Sequence, residues 1–243
     1  MNQDKDTLFS DPLRSPAPFR FDQSVVDVFP DMIKRSVPGY ETVVAMSGLL
    51  AARFARPDTV LYDLGCSLGA TLFSLRQKVE GVDCRIVGVD NSTAMISRCL
   101  ELLKDSDSSV PVELIEASIQ QISYRTCSMV TLNYTLQFVP IADRAPLLSH
   151  LCDKLIDGGV LVLSEKIAFE DEQLEELNIG LHHDFKRAHG YSDLEIAGKR
   201  DSLENVLVPE TLQAHRERLQ LAGFKSCDVW FQCFNFASLI AIK

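Results

Sequence analysis

VLYDLGCSLGA, residues Val60 to Ala70, is the stretch from which the rest of the chain is read. Val60, Leu61, Tyr62 and Leu64 make a short apolar run bounded by glycine, the mark of a buried strand. The run passes into a Gly-x-Ser-x-Gly turn, Gly65 to Gly69, that opens a helix. Glycines at Gly65 and Gly69 let backbone approach a ligand without an intervening side chain. That ligand would sit at the carboxyl end of the strand, beside a helix N-terminus. A turn that merely requires positive φ reads the same way, so the stretch alone does not name the ligand.

The next apolar run does more. CRIVGVDNS, Cys84 to Ser92, ends in Asp90. A carboxylate there can accept hydrogen bonds from both hydroxyls of a ribose. Alone it could equally cap a helix, since Asn91 and Ser92 are also capping residues. A glycine turn followed by an acid at the end of the next strand is the nucleoside pattern. Asp63 gives the turn the form D-x-G-x-S-x-G, which, with the chain's closing hairpin pattern, favours S-adenosylmethionine over a dinucleotide.

Outward from this pair, apolar runs alternate with amphipathic stretches, the signature of βαβ units and a parallel sheet. Strands are expected at 60–64, 85–90, 112–116, 128–133 and 160–165, with helices near 70–79, 93–104 and 142–155. Residues 1–20, with Pro12, Pro16 and Pro18, read as an irregular arm. Residues 21–54 read as helical, broken at Pro30 and at Pro38-Gly39. The stretch 169–223 is acidic and helical, without strands. VWFQCFN and FASLIAIK, meeting near Asn235, read as an antiparallel hairpin. The expected fold class is α/β and Rossmann-like: a mostly parallel seven-stranded sheet with a C-terminal antiparallel hairpin. An N-terminal arm and helices (1–57) and a helical insert before the hairpin (168–223) are added to a single S-adenosylmethionine-binding domain, 1–243.

The 243 residues suit one α/β domain with modest additions. The net charge of −10 argues against direct nucleic-acid binding, which calls for a basic face. No apolar run is long enough to span a membrane. The start, MNQDKDTLFS, lacks a signal-peptide core, and a cytoplasmic location is expected. Seven cysteines without a C-x-x-C pair fit reduced thiols and no metal site.

Longer motifs carry a closer resemblance. DTLFSDP, FDQSVVDVFPDMIKRSVPGY, YDLGCSLGA, NSTAMISRC, TLNYTLQF, LVLSEK, HHDFKRAHGYSDLEI, KRDSLENV and VWFQCFNF together span nearly the whole chain. In these the sequence resembles the carboxy-S-adenosyl-L-methionine synthases, bacterial enzymes of the class I methyltransferase fold. The resemblance implies that S-adenosyl-L-methionine is a substrate and carboxy-S-adenosyl-L-methionine the product. The carboxyl source it implies is prephenate, with phenylpyruvate as by-product, and no metal. It also implies a homodimer and a separate tRNA-modifying partner enzyme that uses the product in 5-oxyacetyl modification of wobble uridine.

Position by position, the resemblance implies that Tyr40 helps bind the cofactor and that Gly65, Cys66 and Ser67 surround its amino-acid portion. Asp90 with Asn91 would hold ribose and adenosine, and Asn133 follows the fourth strand. Arg200 would meet the added carboxylate, so Arg200 and Tyr40 are the catalytic candidates. Where the family commonly has an aspartate at adenine, this chain has Ser118, then Ile119. A serine hydroxyl accepts a hydrogen bond neutrally and at shorter reach.

Arg200 has a physical argument of its own. Two like charges about 4 Å apart repel by roughly 4 kcal/mol at an effective dielectric near 20. An arginine beside a sulfonium therefore calls for a compensating anion, and a guanidinium pairs with a carboxylate through two parallel hydrogen bonds. From spacing alone, Arg200 would be a helix-surface ion pair. His182 and His183 lie about 100° apart on a helix and read as solvated or partner-facing. Lys186 and Arg187 read as a solvated face, with attraction of a dianionic substrate the lesser reading. Cys66 reads as a small packing residue. The competing functions are an ordinary small-molecule methyltransferase and a non-catalytic adenosylmethionine-binding protein.

Overall fold

The structure, a computed structural model, describes residues 5–11 and 18–243. Pro12 and Pro16 of the expected arm lie outside the described residues. The five expected parallel strands form: β1 (Val60–Leu64), β2 (Arg85–Asp90), β3 (Val112–Glu116), β4 (Cys127–Asn133) and β5 (Leu155–Ala168). β6 is Glu210–Thr211, and the closing hairpin is β7 (Ser226–Cys233) with β8 (Phe236–Ile242). The strand order is β3-β2-β1-β4-β5-β8-β7, with β8 antiparallel to both neighbours. The order in which strands are added reverses between the parallel β1 and β4, which opens a crevice at the carboxyl ends of these strands.

Two expectations need correcting here. The stretch 169–223 is not free of strands: Glu210 and Thr211 pair with Ile167 and Ala168 at the end of β5. A two-residue strand has no periodicity to detect. β5 also exceeds the expected 160–165, because its first residue pairs with Cys127 and its far end runs on against β8 and β6.

Alternation along the strands fills both faces of the sheet. Val60, Tyr62 and Leu64 join Val130, Leu132, Leu161 and Leu163 beneath α5 (Ile141–Lys154) and α8 (Leu212–Leu221). Leu61, Ile86, Met129 and Val162 face the other way, toward α2 (Tyr40–Phe54) and α3 (Ala70–Lys78). A side-chain period of two, with both faces covered, gives the near-continuous apolar runs. α4 (Thr93–Lys104) starts on the Ser92 side chain, which accepts from the backbone N–H of Met95.

The roof over the carboxyl ends comes from outside this core: α1 (Gln23–Ser36), α6 (Glu172–Ala188) and α7 (Asp193–Leu203). The expected break at Pro30 does not occur, since α1 runs through it. The lost hydrogen bond is offset by an apolar face, Val25, Val26, Phe29 and Met32, packed on Met95 and Leu68. The roof is laced together by polar contacts. Arg35 donates to the carbonyls of His189 and Asp6 and lies 3.8 Å from the Tyr191 ring centre. Tyr191 also donates to the buried Asp6 carboxylate.

Candidate active site

All ten residues singled out in the sequence line one cavity of about 1490 Å³ at the carboxyl ends of the strands. That exceeds the roughly 300–1,000 Å³ of a pocket for one small ligand. Gly65, Cys66 and Ser67 follow β1, Asp90 ends β2 with Asn91 just after it, Ser118 and Ile119 follow β3, and Asn133 ends β4. Tyr40 enters from the start of α2 and Arg200 from α7.

Both glycines of the turn take the positive φ that the sequence left open as the alternative reading, and Gly65 also lines the cavity. Gly65 has φ of +78°, and a Cβ there would lie 2.1 Å from Thr135 Oγ1. Gly69 has φ of +87°, and its Cβ would meet Cys99 Sγ at 2.7 Å. The glycines serve backbone conformation and close packing on protein, and this in turn fixes the turn against β2: the N–H groups of Gly65 and Cys66 both donate to the Val89 carbonyl. Asp63, the first residue of the motif, is buried under the turn. Its Oδ1 accepts from Thr131 Oγ1 at 2.9 Å, and burial pushes the carboxyl up to about 7 against the opposing Thr131 hydroxyl and Leu72 N–H.

Asp90 is both ligand-facing and structural. Oδ2 accepts the Ser67 N–H and Oδ1 the Ser92 N–H, each at 2.9 Å. Burial raises its pKa while these N–H groups oppose the shift. Each oxygen keeps a lone pair for a ribose hydroxyl. The cap of α4 is Ser92, so Asp90 is not the N-cap. Ser118 donates to Gln120 Oε1 at 2.5 Å, and Ile119 is buried beside it. Asn133 is held hard: its amide donates to Thr71 and Ser47 hydroxyls and accepts from Ser164. The Tyr40 and Tyr134 ring centres stand 6.2 Å apart, and burial raises both phenols well beyond their usual range. The Cys66 thiol is raised by its hydrogen bond with Cys99 and then by burial, so it stays protonated. Arg200 lines the cavity yet is exposed, paired with Asp201 at 3.0 Å.

Residues 61–159 match the methyltransferase domain family. A carboxy-S-adenosyl-L-methionine synthase from a Geobacter species is 53% identical over 244 residues, covering the whole of both chains. One from Aliivibrio fischeri is 51% identical over 238 residues and 98% of each chain. The chain belongs to the carboxy-S-adenosyl-L-methionine synthase family. It is therefore a transferase, as those relatives are. Magnesium protoporphyrin IX methyltransferase from Synechocystis, solved with bound S-adenosylhomocysteine, superposes with a TM-score of 0.60 at 16% identity, covering 87% of each chain. At that identity it shows the shared class I methyltransferase fold.

The cavity also carries a basic wall, Lys166, His182, Lys186 and Lys199, of which the sequence reading held only a part, as the lesser reading of Lys186 and Arg187. His182 and Lys186 are both buried, correcting the solvated reading; only Arg187 is exposed, paired with Asp184 and Asp193. The readable signal was the i, i+4 spacing of His182 and Lys186, which puts them on one face of α6, whereas the adjacent pairs point apart. His182 is held neutral by burial, pushed down to about 3, and donates from Nε2 to the Ser36 carbonyl at 2.8 Å. Among the described residues no helix is long and apolar enough to cross a membrane, and no group of three or more metal-ligating side chains gathers.

Proposed function

We propose that this cavity transfers a carboxyl group from prephenate to the methyl group of S-adenosyl-L-methionine, giving carboxy-S-adenosyl-L-methionine and phenylpyruvate. The observation that carries the reading is half-identity, end to end, with carboxy-S-adenosyl-L-methionine synthases. Asp90 and Asn91 take the ribose, Ser118 and Ile119 the adenine, and Gly65 to Ser67 with Tyr40 and Asn133 the amino-acid end. Asp90 fits that task, because its two oxygens keep acceptor capacity beyond the backbone N–H groups they hold.

The chemistry balances without an added oxidant or metal. The ring carboxylate of prephenate leaves as carbon dioxide, its electron pair aromatises the ring, and the ring hydroxyl departs as hydroxide. A methyl proton, acidified by the sulfonium, combines with that hydroxide to form water, and the methyl carbon captures the carbon dioxide. The protein's task is to hold both partners together and keep the released carbon dioxide from escaping. Arg200 takes the new carboxylate, releasing Asp201 to do so.

The product would serve a separate enzyme that builds the 5-oxyacetyl group on wobble uridine in cytoplasmic tRNA. A homodimer through the roof is part of the reading. Leu174, Leu177 and Ile179 on α6 and Leu194 on α7 are exposed apolar side chains that support it. The test is incubation with both substrates followed by mass spectrometry. Carboxylated product with equimolar phenylpyruvate is expected; S-adenosylhomocysteine alone would identify an ordinary methyltransferase.

A further inference from the structure

Three lysines from three elements line the same cavity: Lys166 on β5, Lys186 on α6 and Lys199 on α7. Lys186 is only 7% exposed and Lys199 8%. The Lys199 amine donates to Ser36 Oγ at 2.9 Å. Among the described residues, no carboxylate stands at ion-pair distance from any of the three amines, although Asp6 acts on Lys199 and Glu175 on Lys166 from farther off, and none accepts a hydrogen bond from Lys186. Lysines that do form ion pairs, Lys34 and Lys225, stand at the surface. A buried ammonium without a partner is costly and rarely kept for the fold's sake.

The S-adenosylmethionine substrate does not explain this wall. It brings a sulfonium, an ammonium and a single carboxylate, a net cation; its amino-acid end is assigned to Gly65–Ser67, Tyr40 and Asn133, and its adenosyl half to the far strands. All three lysines also lie outside residues 61–159, the part shared with methyltransferase domains at large. Arg200, the cation assigned to the product, points to the rim and has its own partner in Asp201.

We propose that Lys186, Lys199 and Lys166 form the receiving site for the carboxylates of the carboxyl donor, with Lys186 as its principal positioning residue. The proposal rests on the reading that the donor is a dicarboxylate of the prephenate type. Two anionic groups on the donor would supply the charge that the wall lacks. They would anchor the donor by the carboxylate that stays, leaving the ring carboxylate free to depart toward the sulfonium methyl. The neutral His182 stiffens the wall by tying α6 to α1 at Ser36, the residue that also receives Lys199. Burial depresses two of the amines: Lys186 to about 7, with repulsion from Lys199 and Lys166 added, and Lys199 to about 8, with Asp6 opposing and Arg35 adding to the shift. A bound dianion would restore their protons.

The test varies each substrate separately with wild type, Lys186→Met and Lys186→Arg, with thermal unfolding as a check that each variant folds. Lys186→Met should raise KM for prephenate roughly tenfold to a hundredfold, leave KM for S-adenosylmethionine within about twofold, and be partly rescued by arginine. A rise in KM for S-adenosylmethionine instead would assign the lysines to that substrate's own carboxylate and overturn the proposal, as would unchanged constants. Calorimetry of a simple dicarboxylate, phenylsuccinate, against the S-adenosylhomocysteine-loaded protein separates the two readings. If wild type ignores prephenate but binds phenylsuccinate in a Lys186-dependent way, the donor's identity fails and the lysine site stands. Binding that survives Lys186→Met and the matching change at Lys199 refutes the site.

Discussion

Lys186→Met should make the unliganded protein more stable, by an amount that shrinks as pH rises. The amine, ordinarily near 10.5, is pushed down to about 7, first by burial and then by Lys199 and Lys166. Between those values the unfolded chain holds a proton that the folded chain has lost. Wild-type stability therefore rises with pH through this window, and the full penalty is present below about pH 7. At about 1.4 kcal/mol for each pH step, the ceiling is about 5 kcal/mol. The amine looks into a cavity wide enough for water, so the gain on substitution should be ~2 kcal/mol near pH 6.5. Methionine keeps the length of the stem and its packing. By pH 9 only about 1.5 of the roughly 3.5 pH steps remain, so the gain should fall to ~1 kcal/mol, vanishing only above the ordinary amine value near 10.5. The groups facing it are Lys166, Lys199, His182 and His183. His182 is neutral throughout, while Lys199 and Lys166 lose charge as pH rises and so act in the same direction. Urea unfolding at the two pH values measures the difference. A variant less stable than wild type at pH 6.5, or a gap that does not change with pH, would mean that the amine is paired or fully hydrated.

Gly65→Ala should cost about 2–4 kcal/mol in urea unfolding, from positive φ and from the clash with Thr135. Adding Thr135→Ala should recover the clash but leave about 1–2 kcal/mol, and a loss under ~0.5 kcal/mol for the single variant would mean the turn is not held as described. Asp90→Ala should weaken S-adenosylmethionine at least tenfold by calorimetry and lower apo stability by about 1–3 kcal/mol, because the Ser67 and Ser92 N–H groups lose their acceptor. Unchanged affinity removes Asp90 from the ribose. Arg200→Ala should weaken carboxylated cofactor roughly thirtyfold or more and plain S-adenosylmethionine hardly at all. Equal losses for both would reduce Arg200 to a supporting role.

The sheet was legible because burying both faces leaves continuous apolar runs such as Val60–Leu64, and because turns and caps are chemically local. α4 begins and ends where Ser92 and the following periodicity place it. The ends of β5 were not legible, since they are set by partners far along the chain, namely Cys127, Phe236 and Glu210. Pro30 misled for the same reason. Its local cost is real, but the packing of α1 on Met95 and Leu68 outweighs it.

The sequence by itself brought eight of the ten residues together, because each stands at or just past the end of a strand, while Tyr40 and Arg200 joined them only through the family resemblance of their motifs. It also determined the family. Only the tertiary structure decided what surrounds them. Gly65 answers to Thr135, seventy positions away, as well as lining the cavity. Lys186 and Lys199 look from sequence like any solvated lysine, because charge and spacing along a helix do not say which face the rest of the chain will cover. The fold of α1, α6 and α7 over the strand ends buries those amines, among the described residues, without a carboxylate at ion-pair distance, and burial, a property of the whole chain, turns two ordinary lysines into a cationic wall.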